Sequence, residues 1–222
     1  MAALSERDPL PLLSRQPLAP ILDRGKFTDT YGSYKFLDAP TRQPAKDAPF
    51  PTDAEAVAAA RAWIAAHFAL PADTTIEPAK IDRSSSGHPA PAYDWDHGHT
   101  ISFRQIYRGI PTDGGAVIYI TGRTRFDATV FLYAYSPIPA TDRQILSAST
   151  AAGVGKELIV KGVGRAWTPE ELARLDAVLK PRLVYVWSPA ASVRDCTAPT
   201  WALDNENRIM IDAQTGKPWE ND

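Results

Sequence analysis

The sequence predicts an α+β protein of two related units, each a helix packed on an antiparallel β-sheet. Three observations lead there. Two segments carry complete helix-start signals, several short segments carry strand patterns, and the order helix then strands occurs twice. The expected division is an extended N-terminal arm or linker over 1–23, a first α+β unit over 24–140 and a second over 141–222.

The arm, rich in Pro and Leu, shows no clear periodicity. "KFTDTYGSYKFL" has room for a strand, and the four prolines of "PTRQPAKDAPFPT" break any regular element. The first helix is predicted in "TDAEAVAAARAWIAAHF". Thr52 caps it, Glu55 completes a capping box and the alanines favour helix. Val57, Ala60, Ile64 and Phe68 form an apolar stripe at helical spacing with Trp63 beside it, and Pro71 ends the pattern. His67, near the helix end, is expected to complement the dipole.

Strands follow. In "TISFRQIY", Ile101, Phe103 and Tyr107 alternate with Ser102 and Arg104; "AVIYI" is apolar on both faces and predicts a central strand. "TVFLYAY" alternates a Val130, Leu132, Ala134 face with a Phe131, Tyr133, Tyr135 face. The short connections fit antiparallel pairing. Gly109-Ile-Pro111 and Asp113-Gly-Gly concentrate turn chemistry between two of these strands.

In the second unit "LSASTAAGVGKELI" is a weak helix pattern, because Gly153 and Gly155 each cost about 1 kcal/mol against alanine. "TPEELARLDAVLK" is a strong one: Thr168 caps, Pro169 takes the first helical position, Glu171 completes a capping box and Pro181 stops it. "RLVYVW" predicts a strand, "SPAASVRDCTAP" a long loop, and "TWALDNENRIMIDA" a hairpin with 204–207 at its tip.

Composition narrows the function classes. Of 222 residues, 44% are hydrophobic and 23% charged, with formal net charge -2. That charge and the absence of a basic run argue against a nucleic-acid partner. The 20 prolines fit many short elements with ordered loops. Cys196 is the only cysteine, which rules out an intramolecular disulfide and a cysteine-built zinc site. No apolar run approaches the roughly 18 residues of a membrane span, and the first residues lack a signal-peptide core. Either the protein is cytoplasmic, or export or membrane association comes through a segment outside these residues.

Potential metal ligands crowd together only in "YDWDHGHT". His97 and His99 can share a strand face with Asp94 and Asp96 near, but a site needs a third fixed ligand, and the plainer reading is a polar hairpin tip. Cys196 has no histidine placed beside it by the sequence. "GVGKEL" lacks the spacing of a phosphate loop, and "DNENRIMIDAQTG" lacks the glycine and closing glutamate of a calcium loop. The Phe131, Tyr133, Tyr135 stripe suits packing or an interaction surface, having no basic residues interleaved for nucleic-acid stacking. No catalytic set and no cofactor are expected.

Two stretches resemble a known superfamily. "FRQIYRGIPTDGGAVIYI" is similar to the fungalysin/thermolysin propeptide motif Gln-x-Tyr-x-Gly-x-Pro, matched by Gln105, Tyr107, Gly109 and Pro111. "RIMIDAQTGKPW" resembles the closing strand of a PepSY domain with its Asp-Ala-x-Thr-Gly turn, matched by Asp212, Ala213, Thr215 and Gly216, with Trp201 on the preceding arm. The plan over about 50–220 is also similar to YycI/YycH-type regulators, which restrain a sensor histidine kinase outside the membrane. The resemblance implies a non-enzymatic bacterial regulatory module, extracytoplasmic, whose partner is a protein such as a sensor kinase or a peptidase. A propeptide-like protease inhibitor or folding helper is the alternative, and a metal-dependent enzyme using His97 and His99 a further one. The motif residues are expected to be structural: Gly109 and Gly216 for positive φ, Pro111 for a fixed dihedral, Asp212 as acceptor of backbone N–H bonds.

Overall fold

A computed structural model describes residues 10–30, 33–37, 51–85, 97–121, 125–138, 145–187, 196–203 and 209–218. In chain order the elements are β1 (Leu13–Pro17), a short 3-10 turn (Arg24–Lys26), β2 (Phe27–Thr30), β3 (Ser33–Leu37), α1 (Asp53–His67), β4 (Thr74–Ser85), β5 (His97–Tyr107) and β6 (Ile110–Thr121). Then come β7 (Arg125–Phe131), β8 (Tyr133–Pro137), α2 (Ala148–Val163), α3 (Pro169–Val178), β9 (Arg182–Trp187), β10 (Cys196–Ala202) and β11 (Met210–Asp212). The class is α+β, with three helices and mostly antiparallel strands among the described residues.

By contact the chain divides into two compact units. One, the α1 unit, comprises Gln16–Tyr107 and Gly114–Ala134. The other, the α2/α3 unit, comprises Met1–Arg15, Arg108–Asp113 and Tyr135–Asp222. Each is thus assembled from separate stretches of chain, where the sequence reading drew consecutive ones. The stretch read as an N-terminal arm contributes a strand: Leu13 of β1 lies opposite Thr197 of β10, and Leu10 and Leu13 are fully buried.

In the α1 unit the strand order is β2-β3-β7-β6-β5-β4. α1 covers one face. Its N-terminus closes as the capping box requires, with Glu55 N–H donating to Thr52 Oγ1 and Thr52 N–H donating to Glu55 Oε2. The buried residues are Ala56, Ala60, Trp63, Ile64 and His67, so the stripe is centred one position from the expected one and Val57 sits at its edge. Aromatic packing explains the shift. Trp63 stacks on His67 at 4.3 Å, and Phe27, Phe36 and Phe68 close around the pair. Beneath them the sheet supplies Ile101, Phe103, Ala116, Ile118, Ile120, Ala128 and Val130. These positions alternate along β5, β6 and β7, as a sheet buried on that face demands.

In the α2/α3 unit β10 is central. It pairs antiparallel with β9 on one side and with β1 and β11 on the other, while Thr112 of β6 makes a parallel bridge to Tyr185 of β9. The predicted loop "SPAASVRDCTAP" therefore gives way to strand by Cys196; the tip at 204–207 lies outside the described residues. The weak helix pattern proves to be a full helix, α2, capped by Ser147 and closed by Gly164 at φ 65°. The reason lies in packing. A Cβ on Gly155 would come within 2.0 Å of Leu203 Cδ1, so this glycine gives up helix propensity for close approach. α3 forms as predicted, with Thr168, Pro169 and Glu171 in their expected capping roles.

"Asp-Gly-Gly" is not a turn. The turn is Arg108-Gly109, with φ 48° and 86°, the signature of a type I′ hairpin, and Asp113 to Gly115 run on inside β6. Gly115 is needed there because a Cβ would lie 2.3 Å from the Phe103 carbonyl oxygen and 3.2 Å from the Phe131 ring, its cross-strand neighbour. Gly115→Ala is expected to cost about 1–3 kcal/mol through overpacking, read as a lower denaturation midpoint at unchanged m-value.

Arg165 donates to both carboxylate oxygens of Glu171, at 3.0 and 2.7 Å. That pair first, then the Thr168 N–H bond, holds the Glu171 carboxyl down to about 2, against some desolvation. A carboxyl whose folded pKa is depressed adds stability above its ordinary pKa of 4.5 and loses it as pH falls toward 2. Carboxyl titration by NMR is expected to place the Glu171 midpoint near 2, and Arg165→Ala to raise it toward 4.5.

Candidate interaction surface

Of the residues singled out by motif, Gln105, Trp201, Asp212 and Thr215 hold main chain through their side chains. Gln105 is 0% exposed; its Nε2 donates to the Tyr133 carbonyl at 2.6 Å and its Oε1 accepts from Tyr133 N–H at 3.0 Å. A primary amide has one donor edge and one acceptor edge, and here it acts as a strand partner would. It does so just after Leu132, where the alternating segment "TVFLYAY" splits into β7 and β8. Tyr107, two residues on, is buried at the end of β5, and Pro111 is the second residue of β6.

The C-terminal motif is a turn built by its own side chains. Asp212 Oδ1 accepts from Gln214 N–H at 2.9 Å and Thr215 N–H at 2.7 Å, and Thr215 Oγ1 accepts from Lys217 N–H at 3.3 Å. Gly216 has φ 73° and donates its N–H to the Asp212 carbonyl. The expected roles of Asp212 and Gly216 are both met. Trp201 is fully buried and donates Nε1–H to the Leu146 carbonyl at 2.9 Å.

Asp113 is a tie inside the α2/α3 unit. Its carboxylate accepts from Arg15 Nη1 at 2.5 Å and from the Tyr135 hydroxyl at 3.2 Å. Tyr135, a member of the predicted aromatic surface, is therefore buried, at 5% exposure. Phe131 and Tyr133 are half-buried, Phe131 resting over Gly115. The three aromatics do not form one exposed stripe; Phe131 alone borders an exposed patch.

β5 begins at His97, whose side chain, like Asp94 and Asp96, lies outside the described residues. His99 is buried and its Nε2 lies 3.2 Å from Asp53 Oδ1, which also accepts from Arg83 Nε at 2.6 Å. The Arg83 hydrogen bond is the main cause that holds the Asp53 carboxyl below its usual range. This trio fastens β4 and β5 to the first turn of α1. Among the described residues no three His, Cys, Asp or Glu side chains gather as a metal would require. In the last turn of α1, His67 Nδ1–H donates to the Trp63 carbonyl at 2.8 Å, and Nε2 faces Asp23 at 3.3 Å.

The sheet face turned away from α1 carries what sequence reading missed. Leu37 of β3 and Tyr119 of β6 both lie opposite Asp127 of β7, one on each side, and are 74% and 44% exposed. The next row is Lys35, Thr129 and Val117. Alternation places Arg125 and Phe131 on the same face. The result is a small patch with two apolar side chains in solvent and charges of both signs around them. "AVIYI" signals only a central strand, because nothing local distinguishes its half-covered face from its buried one.

The chain matches no family model, no curated protein and no solved structure. Among the described residues no helix is long and apolar enough to cross a membrane.

Gln105→Leu is expected to lower stability by about 1–3 kcal/mol, since two hydrogen bonds to one residue go together. Gln105→Glu loses the donor only when the carboxyl is ionised, so it should cost less at a pH where that carboxyl is protonated than where it is charged. Chemical denaturation at two pH values, compared with the unmodified protein, checks both.

Proposed function

We propose that this protein is a non-enzymatic binding module that regulates a protein partner outside the cytoplasm. The observation that carries the reading is the patch formed by Leu37, Asp127 and Tyr119 on the α1 unit's second sheet face. Exposed apolar groups rimmed by polar ones mark contact sites more often than isolated surface residues do. The motif residues support it from the other side: Gln105, Trp201, Asp212, Thr215 and Gly216 serve the scaffold. This is the division of labour that the resemblance to propeptide and PepSY domains implies. On this reading the two units are related copies of one helix-on-sheet plan, and the partner is a sensor kinase or a peptidase.

The test uses the purified full chain against the extracytoplasmic domain of a sensor kinase and against a metallopeptidase encoded beside its gene. One of the two is expected to bind, and Tyr119→Asp or Leu37→Asp to raise the Kd at least tenfold while leaving the melting temperature unchanged. If neither binds, the reading fails. Binding that ignores both substitutions moves the contact off this face. Loss of peptidase activity on binding separates the inhibitor role from kinase regulation.

A further inference from the structure

β4 is the last strand of the α1 unit's sheet. Among the described residues it pairs with β5 alone, over its whole length from Thr74 to Ser85. Glu77 to Arg83 are all exposed. In an antiparallel ladder every second residue turns its N–H and C=O away from the partner. Pro78 has no N–H and belongs at such an outward position. It lies opposite Phe103, so the residues opposite Gln105, Ile101 and His99 face outward with it: Ile76, Ile81 and Arg83.

A bulge lies between Pro78 and Lys80. In an unbroken strand Ile76 and Ile81, five positions apart, would project from opposite faces. The bulge adds one residue and returns them to the same face, that of α1, while Glu77 and Lys80 share the other. Read antiparallel to itself about Pro78-Ala79, the edge is then self-complementary. Ile76 falls opposite Ile81, Glu77 opposite Lys80 and Thr75 opposite Asp82, and each match occurs twice by symmetry.

We propose that two copies of this chain pair antiparallel along their β4 edges, about a twofold axis between Pro78 and Ala79. Proline, a bulge and charges are the devices by which sheets refuse stray strands. At this edge they also select, because a strand without the matching charges meets Glu77 and Lys80 unpaired. The in-strand contact of Lys80 with Asp82, at 2.7 Å, competes weakly, both groups being exposed. Direct cross-strand ion pairs between Glu77 and Lys80 and the apolar Ile76–Ile81 match together favour this pairing. This pairing stands apart from the partner-binding patch and does not rest on it.

The experiment measures the mass of the full chain in solution by sedimentation equilibrium up to about 1 mM. The expected mass is twice the 24.2 kDa of one chain. Glu77→Lys and Lys80→Glu are each expected to weaken dimerisation at least tenfold, with melting temperatures showing that both variants stay folded. Mixed in equal amounts, the two variants place Lys against Glu at both sites and recover the dimer. A monomer at every concentration overturns the proposal. So does a dimer indifferent to both substitutions, or one that mixing fails to restore. Pairing centred on Ile81 instead would respond to Lys80→Glu alone and would overturn this register.

Discussion

The two-residue turn Arg108-Gly109, which joins β5 to β6, is the constraint on which the register of these two strands depends. Both residues have positive φ, which matches the turn to the twist of the strands it joins and fixes which residue of β5 faces which of β6. A slip of one residue would send Ala116, Ile118 and Ile120 to the solvent face and bring Val117 and Tyr119 under α1. Arg108 accepts a conformation that costs a non-glycine residue roughly 1–2 kcal/mol. The burial of the alternating set of β6 beneath Trp63 and Ile64 outweighs it. The exposed patch is the other half of the same choice: once one face of β6 belongs to α1, Tyr119 has nowhere to point but outward.

Polar side chains complete the scaffold where strand ladders stop. Gln105 pairs with Tyr133 beside the break at Leu132, and Asp212 gathers two N–H groups where β11 ends. Both follow from one rule, that buried or half-buried main-chain groups need partners whether or not a strand is present to supply them. Side chains with this duty are fixed by the backbone they serve. In both motifs, side chains of this chain are engaged with main chain: Gln105 in the first, Asp212 and Thr215 in the second.

What was legible in the sequence follows the range of the interactions involved. α1 and α3 were legible because a capping box and an apolar spacing lie within a few residues of each other, and Gly109 and Gly216 because a turn is local. α2 was understated because Gly155 weakens a helix locally and strengthens its contact with Leu203 from nearly 50 residues away. Asp113-Gly-Gly reads as a turn by residue type alone, yet the nearness of the Phe103 carbonyl and the reach of Asp113 to Arg15 place it in a strand. Tyr135 reads as part of a surface by alternation alone, yet it is buried and its hydroxyl donates to half-buried Asp113. The patch was hidden for the same reason. Leu37 and Tyr119 are far apart in the chain, and only the pairing of β3 and β6 with β7 makes them neighbours across Asp127.

The same pairing order decides whether the two proposed contacts interfere. In the order β2-β3-β7-β6-β5-β4, the patch spans β3, β7 and β6, and the self-pairing edge is β4, with β5 between them. A partner seated over Asp127 touches the sheet's face through side chains. A second copy at β4 touches its edge through main chain. The edge is nonetheless tied to the body of the unit, since Arg83 on β4 and His99 on β5 both grip Asp53 in the first turn of α1. The patch and the edge therefore draw on different strands of the α1 unit, with β5 and its His99–Asp53 contact between them.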